Sequence, residues 1–303
     1  MIIAAVCSDT NHERGTTVMS TATATATGRG PTRTLAGTIG ERVRITRRGV
    51  QIALGLLWLL DGVLQAQSYM FSRAFATQLI AGVGQGQPGF VSAPVHRVSV
   101  VVAAHPALWN VPFVALQILI GVGLLVHRTA RPALAVSIVW ALLVWYLSEG
   151  LGGIASGSAS IVTGAPGSAL IYALLGAAAW PRRDASREAP SDWLPLAWAV
   201  LWMGAAVFQA LPQNHGNGVS HGLTGWLVVA EFLIGAGALV GRTRVPAAAL
   251  GFVLALVFWV FGQDAGQLTS GQATDPNTGV VLALMAVALV AVRSGPFRVS
   301  AAR

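Results

Sequence analysis

The sequence predicts an all-α polytopic membrane protein, eight transmembrane helices arranged as two parallel four-helix repeats. Three observations lead there: the composition, the placement of the arginines and an internal duplication. Of 303 residues, 54% are hydrophobic and 10% charged, against roughly a quarter charged in a soluble domain. The formal charge of +8 resides in 19 basic residues, all of them arginine, in short clusters between long apolar runs. That distribution fits helix-flanking anchors rather than a nucleic-acid surface, so no nucleic-acid partner is expected. Heavy alanine and arginine use without lysine suits a GC-rich bacterial genome, and the expected location is a bacterial inner membrane.

Residues 1–48 are predicted to form a disordered cytoplasmic tail. The run "STATATATGRG" and its arginines supply no apolar surface to offset ordering entropy. Met1 to Cys7 is too short for a signal-peptide core, and a second start, "MSTATA", opens at Met19, so translation is expected to begin at either methionine. Arg47-Arg48 is read as a basic flank to the first span rather than an export signal.

Apolar windows of spanning length fall near 49–67, 108–126, 133–149, 166–180, 193–211, 224–240, 246–262 and 279–292. The first four form a repeat over 49–180, residues 181–192 are a cytoplasmic linker, the last four form a repeat over 193–293, and 294–303 is a second cytoplasmic tail. Windows four and eight are short. The external connection 68–107 is long, and Ala93 to Ala104 within it predicts an interfacial helix lying over the bundle. On this topology 17 arginines share the tail's side and only Arg73 and Arg97 face the other, which places both termini in the cytoplasm.

Residues 113–159 align without gaps on 227–273 at an offset of 114, with 20 of 47 positions identical. Gly121/Gly235, Pro132/Pro246, Trp145/Trp259 and Gly157/Gly271 are among the matches. Trp58 and Gln65 match Trp202 and Gln209 at an offset of 144. An even number of spans per copy inserts both copies in one orientation, related by an axis along the membrane normal.

Chemistry is sparse. Cys7 is the lone cysteine, which excludes an internal disulfide, a CxxC pair and a thiolate cage. His96, His105, His215 and His221 fall in external segments and His127 at the cytoplasmic end of span two, so neither haem nor another metal site is expected, and no catalytic motif is present. Ionisable groups at membrane depth are the candidates for a binding site: Asp61 in the outer half of span one, Glu231 in span six opposite its repeat partner Gln117, and Glu149 and Asp264 closing spans three and seven, one position out of register. Asp61, Glu149 and Asp264, with Trp145 and Trp259, are expected to line an outer cleft between the repeats, and Glu231 is a candidate binding group nearer mid-membrane. Asp275 to Thr278 reads as a turn and cap before the last helix.

The stretch "EFLIGAGALVGRTRVPAAALGFVLALVFWV" from Glu231, and its duplicate from Gln117, resembles the second-to-third helix pattern of DoxX-like four-helix membrane proteins, with Trp58 to Gln65 in the place of that family's first helix. The whole resembles two such units fused, as in duplicated actinobacterial membrane proteins. The resemblance implies a redox-associated role, quinone as cofactor and a membrane oxidoreductase as partner; Glu231, Gly235 and Arg242-Thr243 carry over by position, and Gln117 replaces the carboxylate in the first copy. Three functions remain open: a quinone-linked membrane subunit, a transporter of small molecules or ions using intramembrane carboxylates, and a scaffold in the bilayer without chemistry.

Overall fold

Each long apolar run becomes a helix, because a backbone without water must satisfy its own hydrogen bonds. The computed structural model describes residues 45–181, 189–214 and 221–292, and every regular element among them is helical. They are α1 (Arg47–Gln65), α2 (Gly89–Ala104), α3 (Pro106–Leu125), α4 (Ala130–Leu147), α5 (Ser168–Ala178), α6 (Leu194–Ala210), α7 (His221–Leu239), α8 (Arg244–Val257) and α9 (Asn277–Val290). The tails, most of the 181–192 linker, and His215 lie outside the described residues.

Local chemistry sets the ends. Thr46, in extended backbone, caps α1 by accepting the Gly49 N–H at 3.1 Å. Arg48 donates to the carbonyl of Leu124 at 2.8 Å and to that of Leu125, binding the orphan C-terminal carbonyls of α3. Arg244 does the same for α7, donating to the Ala238 carbonyl at 3.0 Å. The tight turns after α3 and α7 share one device: Thr129 Oγ1 donates to the Gly123 carbonyl at 2.8 Å, and Thr243 Oγ1 to the Gly237 carbonyl at 2.7 Å.

Helices α1 and α3 pack together, as do α6 and α7, α4 and α5, and α8 and α9. Glycines set the first two contacts: a Cβ on Gly121 would stand 2.9 Å from the Gly55 carbonyl oxygen, and one on Gly235 3.0 Å from that of Ala199. The innermost helices are short. α5 and α9 are buried nearly all round and join through Ile171, Leu175, Val281 and Met285 in the main core. At 11 and 14 residues they extend only about 16 and 21 Å, because the loops leading into them fold inward: Ile161 and Val162, in irregular backbone, belong to the same core.

Among the described residues, four helices are long and apolar enough to cross a membrane: Pro106–Leu125, Ala130–Leu147, Gly222–Leu239 and Arg244–Gly262. Their outer faces carry uncovered Leu119, Val139, Leu233 and Phe261, a surface suited to lipid and not to water. α2 is a shorter apolar helix. It begins four residues before the expected interfacial segment and seats Val91, Val95 and Val102 on Met70, Phe75 and Ile80 in a separate small core.

Candidate functional site

Two cavities meet at the ends of α1, α4 and α5. The first, of about 390 Å³, is an aromatic and aliphatic chamber between α1, α2, α3, α4 and α5. Trp58, Phe113, Trp140 and Tyr172 supply ring surface; Asp61, Gln65 and Gln117 supply polar groups from α1 and α3. Val101, Trp109 and Leu143 line it and are themselves exposed, so its mouth lies on the apolar outer face of α2, α3 and α4. Arg97 stands at this mouth, exposed on α2. The second cavity, of about 500 Å³, is a polar vestibule between the loops that precede α5 and α9, with Ser160, Gln263, Asp264 and Asn277 in its wall. Glu149 and Asp275 line both. With Ser148, Ser168 and Thr274, which also line both, they stand between an apolar chamber and a polar one.

The partition is held by helix-end chemistry. Two residues beyond α4, Glu149 Oε1 accepts the Ser168 hydroxyl at 2.8 Å and the Ala169 N–H at 3.1 Å, capping α5. Its other oxygen, Oε2, is buried without a hydrogen-bond partner. Burial, and next the nearby Asp275, push the Glu149 carboxyl up to about 8, against the opposing pull of its α5 hydrogen bonds. Asp275 is fixed by its own turn, Oδ1 accepting the Asn277 N–H at 2.7 Å and Oδ2 the Thr274 hydroxyl at 2.9 Å. In the chamber, Asp61 is 3% exposed and acts electrostatically on the hydroxyl of Tyr172. That ring meets Trp58 edge-on at 4.9 Å between centroids. Trp58 Nε1 donates to Ser137 Oγ at 2.8 Å, and Gln65 Nε2 to Asn110 Oδ1 at 2.6 Å.

Of the residues that sequence reasoning singled out, Asp61 and Glu149 line the chamber, and Glu149 and Asp264 line the vestibule. The expected equivalence of Glu149 and Asp264 is corrected: the residue that repeats the contacts of Glu149 is Gln263. Gln263 Oε1 accepts the Gly279 N–H at 2.9 Å and so caps α9, while its Nε2 donates to the Ile161 carbonyl at 3.3 Å. Asp264 is exposed, at a backbone φ of 48°. Gln263 was reachable from the 114-residue offset, which aligns it with Glu149; matching acid with acid obscured it.

Trp145 and Trp259 line neither cavity. Trp145 Nε1 donates to the Pro166 carbonyl at 2.7 Å and Trp259 Nε1 to that of Pro276 at 2.8 Å, so each indole ties a long helix to the loop entering a short one. Glu231 also lies off both cavities, fully buried in α7 with neither carboxyl oxygen hydrogen-bonded. The chamber's Tyr172, Trp140 and Arg97 were not recognised in sequence; Tyr172, one of three tyrosines and set in an apolar run, was the available signal. Among the described residues no three His, Cys, Asp or Glu side chains gather where they could hold a metal ion. No family model, curated protein or solved structure matches the chain.

Proposed function

We propose that the protein is a multi-pass inner-membrane protein of eight spans that takes up an amphipathic small molecule from the bilayer and communicates with water through the polar vestibule. The observation that carries this reading is the partition: Glu149 and Asp275 form a wall shared by an apolar, side-opening chamber and a wet one. A cavity of about 390 Å³ is within the range that holds drug-sized ligands, and buried carboxyls at such a junction are suited to passing a proton or a charged group. The transporter class is therefore favoured over a scaffold.

The two-repeat architecture belongs to the same proposal. The gapless duplication, the twin Trp-to-Pro carbonyl bonds, the twin Thr-to-Gly turns and the matched caps of Glu149 and Gln263 support it. In this reading α1, α3, α4 and α5 correspond to α6, α7, α8 and α9, α2 lies at the outer interface, and both termini are cytoplasmic. Short spans four and eight are accommodated because their irregular entry loops are buried in protein.

A quinone-linked role, implied by the DoxX-like resemblance, is the second reading. Trp140 Nε1, buried without a partner, and the Tyr172 hydroxyl are the donors that a quinone carbonyl would use. Native mass spectrometry of protein extracted into lipid nanodiscs tests the site itself. A small molecule retained by the wild type and lost from Val98→Trp, which fills the chamber from α2, is the expected result; an empty wild-type protein refutes the reading.

A further inference from the structure

We infer that the chamber's occupant is a lipophilic organic cation, an alkyl- or arylammonium or its phosphonium analogue, with its charge on the Asp61 and Glu149 side and its apolar body against the rings. The inference rests on the chamber reading above and narrows it to one chemical class.

The polar atoms left open decide the class. Among the lining residues, the buried oxygens with no hydrogen-bond partner include Asp61 Oδ1 and Glu149 Oε2, both carboxyl, and Gln117 Oε1. Of the donors on the same wall, Trp58 is engaged with Ser137, Gln65 with Asn110 and Ser168 with Glu149 itself, while Trp140 Nε1 and the Tyr172 hydroxyl are open. The open carboxyl oxygens lie on the Asp61 and Glu149 side, and there a carbonyl-bearing ligand would set acceptor against ionised acceptor. A ligand that carries positive charge meets the surface with the opposite polarity.

Charge and ring content agree. Asp61, Glu149 and Asp275 contribute three carboxyl groups to the lining and Arg97 the one guanidinium, at the exposed mouth. Trp58, Trp140 and Tyr172 offer faces that attract a cation through the ring quadrupole, best for Trp. A bare metal ion does not fit, since the described residues hold no cluster of metal-ligating side chains and the remaining wall is mostly aromatic and aliphatic. The cation must supply its own apolar surface.

Proton linkage gives a signature. The groups that act on Glu149 are Asp275 in the loop before α9 and Asp61 on α1, with the N-terminus of α5 donating to it and Arg97 on α2 across the mouth. With Glu149 at about 8, a cation competes with the proton and binds more tightly as pH rises through that value. A quinone, whose carbonyls would take the Trp140 and Tyr172 donors, gains nothing from the ionisation of Glu149 over the same range.

The test is equilibrium binding to the full chain in nanodiscs of tetraphenylphosphonium, of neutral triphenylphosphine oxide and of decylubiquinone, at pH 6 and pH 9. Tetraphenylphosphonium is expected to bind at least tenfold more tightly at pH 9 than at pH 6 and to outbind the neutral phosphine oxide. Asp61→Asn is expected to lose at least tenfold, and Glu149→Gln to flatten the pH dependence. The wild-type pH profile needs no variant to fold. Decylubiquinone binding without tetraphenylphosphonium, or a cation affinity that falls with pH, overturns the cation assignment and leaves the chamber standing. Binding of none of the three overturns both.

Discussion

Replacing Glu149 by glutamine is expected to remove a pH-dependent loss of stability that the wild type shows between about pH 5 and 8. Below 4.5 the folded and unfolded chains both hold the proton. Between 4.5 and about 8 the folded chain keeps a proton that the unfolded chain has released, so stability falls as pH rises, by at most about 1.4 kcal/mol per unit. Above 8 both are ionised and the slope vanishes. The full displacement corresponds to roughly 5 kcal/mol; since Glu149 also borders the open vestibule, on the order of 2 kcal/mol is the expected observable after screening. In a chain of this length that is a difference of about 4–8 °C in melting temperature. The assay is thermal unfolding in one detergent from pH 5 to 9, wild type against Glu149→Gln, so that the other carboxyls cancel in the difference. Glutamine keeps the cap on α5, as Gln263 caps α9. Parallel curves for the two proteins would falsify the reasoning. Asp275→Asn, which removes the second cause of the displacement, is expected to move the wild-type transition to lower pH.

Gly152 sits at φ 60°, and a Cβ there would stand 2.1 Å from the Pro166 carbonyl oxygen, so Gly152→Ala is expected to cost about 2–4 kcal/mol in chemical unfolding. Glu231→Leu removes two buried oxygens that lack partners and is expected to raise stability by about 1–3 kcal/mol; a loss would mean that the carboxyl is satisfied. Trp259→Phe forfeits the bond to the Pro276 carbonyl and is expected to cost about 1–2 kcal/mol, read by denaturant titration. Reporter fusions after Arg187 and Arg244 are expected to read cytoplasmic and one after Gly216 external; an external signal at Arg244 would sink the topology.

The helices were legible in sequence because apolar length is a local property: each of the eight windows from 49–67 to 279–292 coincides with a helix, and the interfacial segment with α2. The duplication was legible for the same reason, through an unbroken offset. The site was only half legible. Asp61 and Glu149 announce themselves as acids among apolar neighbours, and both line the chamber. Tyr172, Trp140 and Gln117 reach it from three different helices, and their meeting depends on how α1, α3, α4 and α5 pack, which no window of sequence encodes. Trp145 and Trp259 were misplaced because a conspicuous residue repeated at equal spacing reads as a site; here the indole N–H satisfies a loop carbonyl, a need of the backbone that appears only when the loop is folded.

The positions that match the chamber in the second half of the chain have different occupants. Along the offsets of 144, 114 and 110, Asp61 is matched by Ala205, Val144 by Phe258 and Tyr172 by Leu282, and beside the chamber the core residue Leu54 is matched by Trp198. Trp198 and Trp202 are wholly buried, with ring centroids 5.5 Å apart, and Phe258 lies 6.5 Å from Trp202. The first half is hollow where the second is filled by indole and phenyl rings. On the proposed reading, the side chains that can change what a ligand touches without opening a gap lie between Trp58 and Tyr172. A laboratory lineage challenged with new ligands is then expected to accumulate its changes in the first half and leave the second nearly still.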